Sequence, residues 1–138
     1  MAVPAANVGD EVTFSKTVSE SDVYLFAGIT GDLSPNHVDE QTMSTTPYGG
    51  RIAHGALMVG FMSTTSTRMI EKLGGATAVS YGYDRVRFPR PVRFGDTVTV
   101  RYRIAEIDPE RPRTYADIDV TNQRGETVAV ARHTLHFL

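Results

Sequence analysis

The amino-acid sequence predicts an α+β fold, in which an antiparallel β-sheet wraps around one long central α-helix. Two observations lead to this prediction. Strand-like alternation fills the second half of the chain, and residues 53–73 show a mostly apolar helical pattern. The 138 residues contain no linker and no internal repeat, so we expect a single domain over residues 1–138.

The first predicted elements are a strand and a short helix. EVTFSKTV alternates apolar and polar side chains, as a half-buried strand does. Ser19 and Asp22 then match the S-x-x-D form of a capping box, which predicts a helix over about 20–28. Gly28 and Gly31 are expected to end this helix.

The long helix is predicted from a repeat within residues 53–73. One set of side chains recurs every four residues: Leu57, Phe61, Thr65, Met69 and Leu73. The first half of the helix is apolar on almost every side, so we expect that half to be buried. The pair Gly74-Gly75 provides a stop signal at the C-terminal end.

Four strand-like segments follow the helix. They read VSYGYDRVRF, DTVTVRYRIAEI, RTYADIDVT and ETVAVARHTLHF. Proline, glycine, asparagine and aspartate occupy the gaps between them, as tight turns require. One strand, two helical segments and four long strands therefore make up the predicted α+β pattern.

The composition excludes several kinds of partner and site. Fourteen Lys and Arg against sixteen Asp and Glu leave a net charge of -2, so no overall field attracts nucleic acid or an anionic membrane. The chain has no cysteine, which removes disulfides, thiolate metal sites and cysteine nucleophiles. MAVPAANVGDEV does not look like a signal peptide, and the longest apolar stretch is too short to span a membrane. We therefore expect a cytoplasmic protein.

The first candidate site is the segment TGDLSPNH, in which an acid and a base lie five residues apart. Pro35 disfavours a helical conformation at Ser34, so the segment is predicted to be a shaped turn. Such a turn can bring the side chains of Asp32 and His37 close to the same point, where both could take part in activating one water molecule. The alternative is that Asp32 only stabilises the turn and that His37 is an ordinary solvated side chain. From the composition of the segment alone, this alternative is the more common outcome.

The second candidate site is RIAHGALM, at the start of the long helix. Gly55 lies in the first helical turn, where backbone N–H groups lack acceptors within the helix and the helix dipole adds partial positive charge. This N–H could bind an oxygen atom that becomes negative during a reaction. The alternative is that Gly55 allows close helix packing and that His54 is an ordinary N-terminal residue.

The remaining polar clusters support weaker hypotheses. The run HVDE at residues 37–40 has no second cluster at ligand spacing, so no metal site is predicted. Arginines in DRVRFPRPVRF, among them Arg85 and Arg90, form a basic stripe that is either solvated or able to bind phosphate groups. The last strand places His133 and His136 on opposite faces.

Three segments of the chain resemble the R-specific enoyl-CoA hydratases of the MaoC-like hot-dog family. They are FAGITGDLSPNHVD, GGRIAHGALM and VRFPRPVRFGDTVTV, in the family's order, and they span nearly the whole domain. The resemblance implies a hot-dog fold, usually dimeric, and hydration of trans-2-enoyl-CoA to (R)-3-hydroxyacyl-CoA without a metal or redox cofactor. The expected partner is then a small acyl-CoA substrate.

The resemblance also implies roles for individual residues. Asp32 and His37 take the positions of the water-activating pair, and Gly55 takes that of the glycine whose N–H receives the thioester oxygen. Ser63 takes the position of a helix serine that supports the site, and Ser34 stands where the family usually has asparagine. The substrate-binding residues that we expect around the pair are Ser63, Ser34, His54, Arg85 and Arg90.

Two other functions remain open from the sequence. A hot-dog acyl-CoA thioesterase would release free thiol from a saturated acyl-CoA. A non-catalytic acyl-CoA-binding domain would bind the thioester without turnover, although such a domain has no need of an acid and a base beside a helix N-terminus.

Overall fold

A five-stranded antiparallel sheet and one long helix form most of the structure, a computed structural model that describes residues 5–138. In chain order the strands are β1 (Glu11–Thr17), β2 (Ala78–Arg87), β3 (Thr97–Ile107), β4 (Arg113–Thr121) and β5 (Thr127–Phe137). Their order in the sheet is β1-β3-β4-β5-β2, and every neighbouring pair is antiparallel. The predicted α+β class is confirmed. Residues 1–4 lie outside the described residues. They include the start of the predicted domain and the start of the segment MAVPAANVGDEV.

The helices are α1 (Glu20–Thr30), α2 (Pro35–Val38), α3 (Glu40–Met43) and α4 (Gly55–Lys72). Within residues 5–138, no helix is both long enough and apolar enough to cross a bilayer.

Helix α1 begins and ends on local signals. The predicted capping box is present, because Asp22 N–H donates to Ser19 Oγ over 3.1 Å and Ser19 N–H donates to the Asp22 carboxylate over 3.0 Å. The helix ends at Gly31, whose φ of 80° lies in the left-handed region that favours glycine. The prediction that Gly28 also ends the helix is wrong. A glycine inside a helix costs stability but does not by itself reverse the backbone, so the helix continues to Thr30.

The segment after α1 contains two one-turn helices that the sequence did not predict. Pro35 occupies the first position of α2, where a helix needs no backbone N–H donor. Asp39 then caps α3 by accepting the Thr42 N–H over 3.1 Å. The predicted shaped turn is therefore confined to residues 31–34, and His37 lies on a short helix.

Helix α4 packs one face against the sheet, mainly against β1 and β3. Its buried residues are Leu57, Met58, Met62, Thr65, Ser66 and Met69. The opposite face is exposed and carries the small residues Ala56, Gly60, Ser63 and Thr67. In a single chain, the sheet covers only one side of this helix. The prediction that its first half is buried is therefore wrong for the single chain.

Strand β2 is an open edge of the sheet. Its pairing with β5 shifts register twice, and Arg85, at the second irregularity, has a φ of 55°. Val79 and Tyr81 in this strand are 46 % and 64 % exposed. The β2 edge therefore presents both unpaired backbone groups and apolar side chains to solvent.

Candidate active site

The turn after α1 presents Asp32 to solvent. The Asp32 N–H donates to Thr30 Oγ1 over 3.2 Å, and the Ser34 N–H donates to Asp32 Oδ1 over 3.3 Å. Ser34 therefore braces the aspartate through its backbone, and its side chain makes no capping hydrogen bond to α2. The carboxylate of Asp32 remains accessible to a substrate or a water molecule.

The segment that leads into α4 binds the Nδ1 edge of the His37 ring. Its Nδ1 lies 2.8 Å from the Ile52 carbonyl oxygen, and the Ile52 N–H donates to the Asn36 carbonyl over 3.0 Å. A carbonyl oxygen only accepts hydrogen bonds, so the proton of neutral His37 is on Nδ1. The Nε2 lone pair of this side chain is then available as a base. The residue is 9 % exposed, so its imidazole is mostly shielded from water.

His54 precedes α4 and lies between the two parts of the site. Its Nε2 is 3.0 Å from the backbone carbonyl oxygen of Asp32. Its ring stacks on that of His37, with centroids 3.7 Å apart and planes inclined by 26°, and it also contacts the ring of Phe26. His54 is only 2 % exposed, and its Nδ1 has no hydrogen-bond partner among the described residues.

A cavity of about 200 Å³ opens where α4 begins. Its lining includes His37, His54, Gly55, Met58, Phe88 and Arg90. Gly55 is the first residue of an 18-residue helix, so its N–H carries the partial positive charge of the helix N-terminus. An oxygen atom that gains negative charge near this group would be stabilised.

Phe88 is a site residue that the sequence analysis missed. A Cβ atom added at Gly55 would lie 2.7 Å from a ring carbon of Phe88, closer than real contacts allow. Glycine is therefore required at this position unless the ring moves. The only sequence signal for Phe88 was its place in VRFPRPVRF, a segment that the structure folds over the start of α4.

The structure brings most, but not all, of the predicted site residues together. Asp32, Ser34, His37, His54 and Gly55 meet where the turn after α1 contacts the start of α4, and Arg90 lines the cavity. Two predicted residues lie elsewhere.

Ser63 is one of those two, on the exposed face of α4, about two turns beyond Gly55. Arg85 is the other, and it lines a separate hollow with Asp117 and Arg132. Neither residue lines the cavity at Gly55.

Three ligand-type atoms of the site lie close enough together to consider a metal. One such atom from each of Asp32, His37 and His54 lies within 4.8 Å of the others. A metal binds in the plane of an imidazole, about 2.0–2.1 Å from its nitrogen. The two histidine rings lie face to face, so their lone pairs run side by side and do not converge on one ion. The geometry favours proton transfer over metal binding.

A second buried polar cluster lies under the β2–β5 pair, apart from this cavity. His133 Nε2 is 2.7 Å from Ser80 Oγ, and its Nδ1 is 2.8 Å from the Tyr102 hydroxyl. Burial lowers the pKa of His133 to about 4, and burial raises the pKa of Tyr102 and of Tyr83, which lies against the histidine ring. All three groups are thus held neutral at neutral pH. The predicted placement of His133 and His136 on opposite faces is confirmed, since His136 instead contacts Arg113 at 3.1 Å.

Comparison with known proteins links this geometry to one family. Residues 4–128 match the family model described as MaoC like domain. The chain is 42 % identical over 103 residues to an (R)-specific enoyl-CoA hydratase of Rhodospirillum rubrum, a match that covers 75 % of this chain and 69 % of that protein. It is also 42 % identical over 106 residues to a 3-hydroxybutyryl-CoA dehydratase of Methylorubrum extorquens, covering 77 % of this chain and 65 % of the relative.

A solved structure shows the same fold. The unliganded R-hydratase of Pseudomonas aeruginosa superposes with a TM-score of 0.84 at 30 % sequence identity, covering 99 % of this chain and 86 % of that one. The hot-dog arrangement of sheet and helix that the resemblance implied is thereby confirmed.

Proposed function

Because the chain belongs to the MaoC-like domain family, we propose that it is a hydro-lyase that hydrates trans-2-enoyl-CoA to (R)-3-hydroxyacyl-CoA, and that it also catalyses the reverse dehydration. One observation carries the proposal. An accessible carboxylate and a histidine with a free Nε2 lie beside the N-terminus of a long helix that begins with glycine. This arrangement combines water activation with stabilisation of a developing oxyanion.

In the proposed reaction, Asp32 and His37 hold one water molecule beside C3 of the enoyl group. One of them removes a proton from the water as its oxygen bonds to C3, and a proton is delivered to C2. The C2–C3 double bond becomes a single bond, and no oxidant or reductant is consumed. Because the acid and the base lie on the same side of the substrate, the addition is syn.

In this proposal, Gly55 stabilises the negative charge that develops on the thioester oxygen. As water adds to C3, electron density moves through C2 to the thioester oxygen, which becomes an enolate oxygen. The Gly55 N–H, at the positive end of α4, donates to that oxygen and lowers the barrier. The acyl group lies against the apolar lining of the cavity, which includes Met58, and methionine adapts to acyl chains of different shape.

The coenzyme A part of the substrate would lie near Arg90, at the mouth of the cavity. Arg90→Ala is then expected to raise the KM for enoyl-CoA several-fold at low salt, with a smaller effect at high salt. Arg85→Ala is the matched control, because Arg85 belongs to a different hollow. Equal KM values for wild type and Arg90→Ala at every salt concentration would make Arg90 an ordinary surface charge.

A direct assay tests the proposed activity. Purified protein is expected to consume crotonyl-CoA or a longer trans-2-enoyl-CoA and to yield the (R)-3-hydroxy product, identified by chiral chromatography. Asp32→Asn and His37→Gln should each lower kcat by roughly 100-fold or more, because each removes a group that moves a proton. His136 lies on the last strand against Arg113 and outside the cavity lining, so His136→Gln should keep the wild-type rate.

Other outcomes of the assay would contradict the proposal. Release of free thiol from saturated acyl-CoA, with no hydration, would identify a thioesterase. Tight binding of acyl-CoA with no turnover of any enoyl substrate would identify a binding domain.

The cytoplasmic location expected from the sequence belongs to the same proposal, and cell fractionation checks it.

We also propose that the enzyme is a homodimer built on the open edge of its sheet. The β2 edge has unpaired backbone groups and exposes Val79 and Tyr81. Helix α4 packs mainly against β1 and β3, at the other side of the sheet from β2. A second copy that pairs along β2 would hydrogen-bond to the unpaired backbone groups of this edge. It would also bring the small-residue faces of the two α4 helices together.

A further inference from the structure

We propose that His54 is a positioning residue, which holds Asp32 and His37 in their reactive geometry without touching the substrate. The inference rests on the proposed hydratase function and extends it. With an exposure of 2 %, His54 offers almost no surface to a ligand. Its contacts with both members of the catalytic pair are direct.

The hydrogen bond from His54 is the long-range restraint on the Asp32 turn. The other side-chain hydrogen bonds that the described structure shows for Asp32 join it to Thr30 and Ser34, each two residues away. Such bonds define the shape of the turn but not its position relative to α4. The bond from His54 Nε2 to the Asp32 carbonyl spans 22 residues and ties the turn to the first residues of that helix. The distance between the carboxylate and the Gly55 N–H therefore depends on His54.

The stacked ring of His54 restrains His37 in a second direction. The hydrogen bond from His37 Nδ1 to the Ile52 carbonyl fixes one edge of that ring. The face of His54, 3.7 Å away, prevents rotation out of the plane. Together the two contacts set the direction of the Nε2 lone pair, which is the basic atom of the proposed mechanism.

The protonation of His54 shows why an imidazole is needed at this position. The Asp32 carbonyl only accepts, so the proton of neutral His54 is on Nε2 and Nδ1 carries a lone pair. That Nδ1 is buried without a partner among the described residues, which is unfavourable. A phenylalanine ring could stack on His37 without this unpaired nitrogen. The feature that only the imidazole adds is the N–H that binds Asp32.

The hydrogen positions can be measured in the unmodified protein. Long-range proton–nitrogen NMR spectra of the wild type should show His54 as the Nε2–H form and His37 as the Nδ1–H form. Detection of His54 in the Nδ1–H form would overturn the inference, whatever the protein's activity. This readout needs no variant, so it holds even if substitutions at His54 impair folding.

Two substitutions separate the hydrogen bond from the stacking. His54→Phe retains a stacked ring but has no N–H, and His54→Gln retains a donor but has no ring. His54→Phe is expected to lower kcat roughly 10- to 100-fold with KM changed by less than about threefold, because the pair is misplaced and binding is not. His54→Gln should recover part of that loss. His136→Phe is the matched control and should keep wild-type kinetics, because His136 contacts Arg113 and lies outside the cavity lining. A His54→Phe variant with wild-type kcat would overturn the proposal.

A double variant tests whether His54 acts through the catalytic pair. In an Asp32→Asn background, His54→Phe should lower the residual rate by no more than about twofold, because residues that act as a unit are not additive. A full additional loss would show that His54 acts separately, and the inference would fail. If the wild-type protein hydrates no enoyl-CoA, the proposed function fails instead, while the NMR result still decides how His54 is held.

Discussion

Gly55 is the residue at which the absence of a side chain has the clearest consequence. The ring of Phe88 lies so close that any Cβ at this position would collide with it. Phe88 itself is 47 % exposed, so its ring has room to move toward solvent. The collision therefore affects the shape of the cavity more than the stability of the fold.

We predict that Gly55→Ala lowers kcat roughly 10- to 100-fold, because the new methyl group and the displaced Phe88 ring disturb the approach of the thioester oxygen to the helix N-terminus. The free energy of unfolding should change by less than about 1 kcal/mol. Steady-state kinetics and urea unfolding measure the two effects.

Gly28→Ala is the matched control for this prediction. Gly28 lies inside α1, and no atom of the described part of the chain, other than its own helix backbone and chain neighbours, lies within 4 Å of an added Cβ. Alanine there should retain activity and stabilise the fold by roughly 0.5–1 kcal/mol, as expected for a helical site. Wild-type kcat in Gly55→Ala would contradict the role given to this glycine.

At the scale of elements, one side chain joins the short helices to the body of the fold. Arg51 Nη2 lies 2.7 Å from Glu20 on α1, and its Nε lies 3.1 Å from Glu40 on α3. It also donates to the Tyr24 hydroxyl over 2.6 Å and lies 4.7 Å above the ring of Phe94. Hydrogen bonds from the backbone and side chain of Arg51 lower the pKa of Glu40. The orientation of the segment that carries the proposed catalytic pair depends on these contacts.

Arg51→Met is predicted to destabilise the protein by about 1–3 kcal/mol, because several charge-assisted hydrogen bonds are lost from a side chain that is only 18 % exposed. Arg101→Met is the comparison. That side chain is 57 % exposed and forms an ion pair with Glu11 at 3.6 Å, so its loss should cost less than about 0.5 kcal/mol. Urea unfolding of both variants checks the contrast, and similar costs would count against the role of Arg51.

At the scale of the whole molecule, the β2 edge of the sheet and the small-residue face of α4 are both exposed to solvent. The exposed β2 edge and the small-residue face of α4 form the surface through which we propose that two copies of the chain associate. Within residues 5–138 of a single chain, nothing lies within 4 Å of a Cβ added at Gly60, so these residues leave room for a side chain there.

Gly60→Arg is therefore predicted to leave the fold of each chain intact and to convert the proposed dimer to a monomer, because a large charged side chain cannot be accommodated between two helices. Glu110→Arg, in the turn before β4, introduces the same side chain away from this surface and should remain dimeric. Sedimentation velocity at assay concentration measures both variants. A wild-type protein with the mass of one chain would contradict the proposed dimer.

The overall stability should also depend on pH through His133. Its pKa is lowered from 6.5 to about 4 by burial, so between these values the unfolded chain binds a proton that the folded chain does not. Stability is therefore lost as the pH falls from about 6.5 to about 4. The contribution of this one group is about 2–3 kcal/mol.

A substitution isolates that contribution from the effects of carboxylates. Between pH 6.5 and 4, His133→Gln is expected to lose about 2–3 kcal/mol less of its unfolding free energy than the wild type does. Urea unfolding at several pH values gives these slopes, and parallel curves for wild type and His133→Gln would rule out the effect.

Local chemistry made much of the fold predictable. Alternating side chains gave every strand to within one residue at each end, and the capping box at Ser19 gave the start of α1. These signals act between near neighbours, so they can be read without knowing what else is close. The two short helices at 35–43 were missed because one turn is too short to show a period.

The sequence by itself determined the fold class, the strand positions and the segments that contain Asp32, His37 and Gly55. Only the tertiary structure decided which side chains meet there. It placed Phe88 over Gly55 and brought His54 into contact with Asp32 and His37, and it put Ser63 and Arg85 outside the cavity. The physical reason is the range of the interactions. Periodicity and turn formation depend on a few consecutive residues, whereas the site depends on packing between segments 15 or more residues apart.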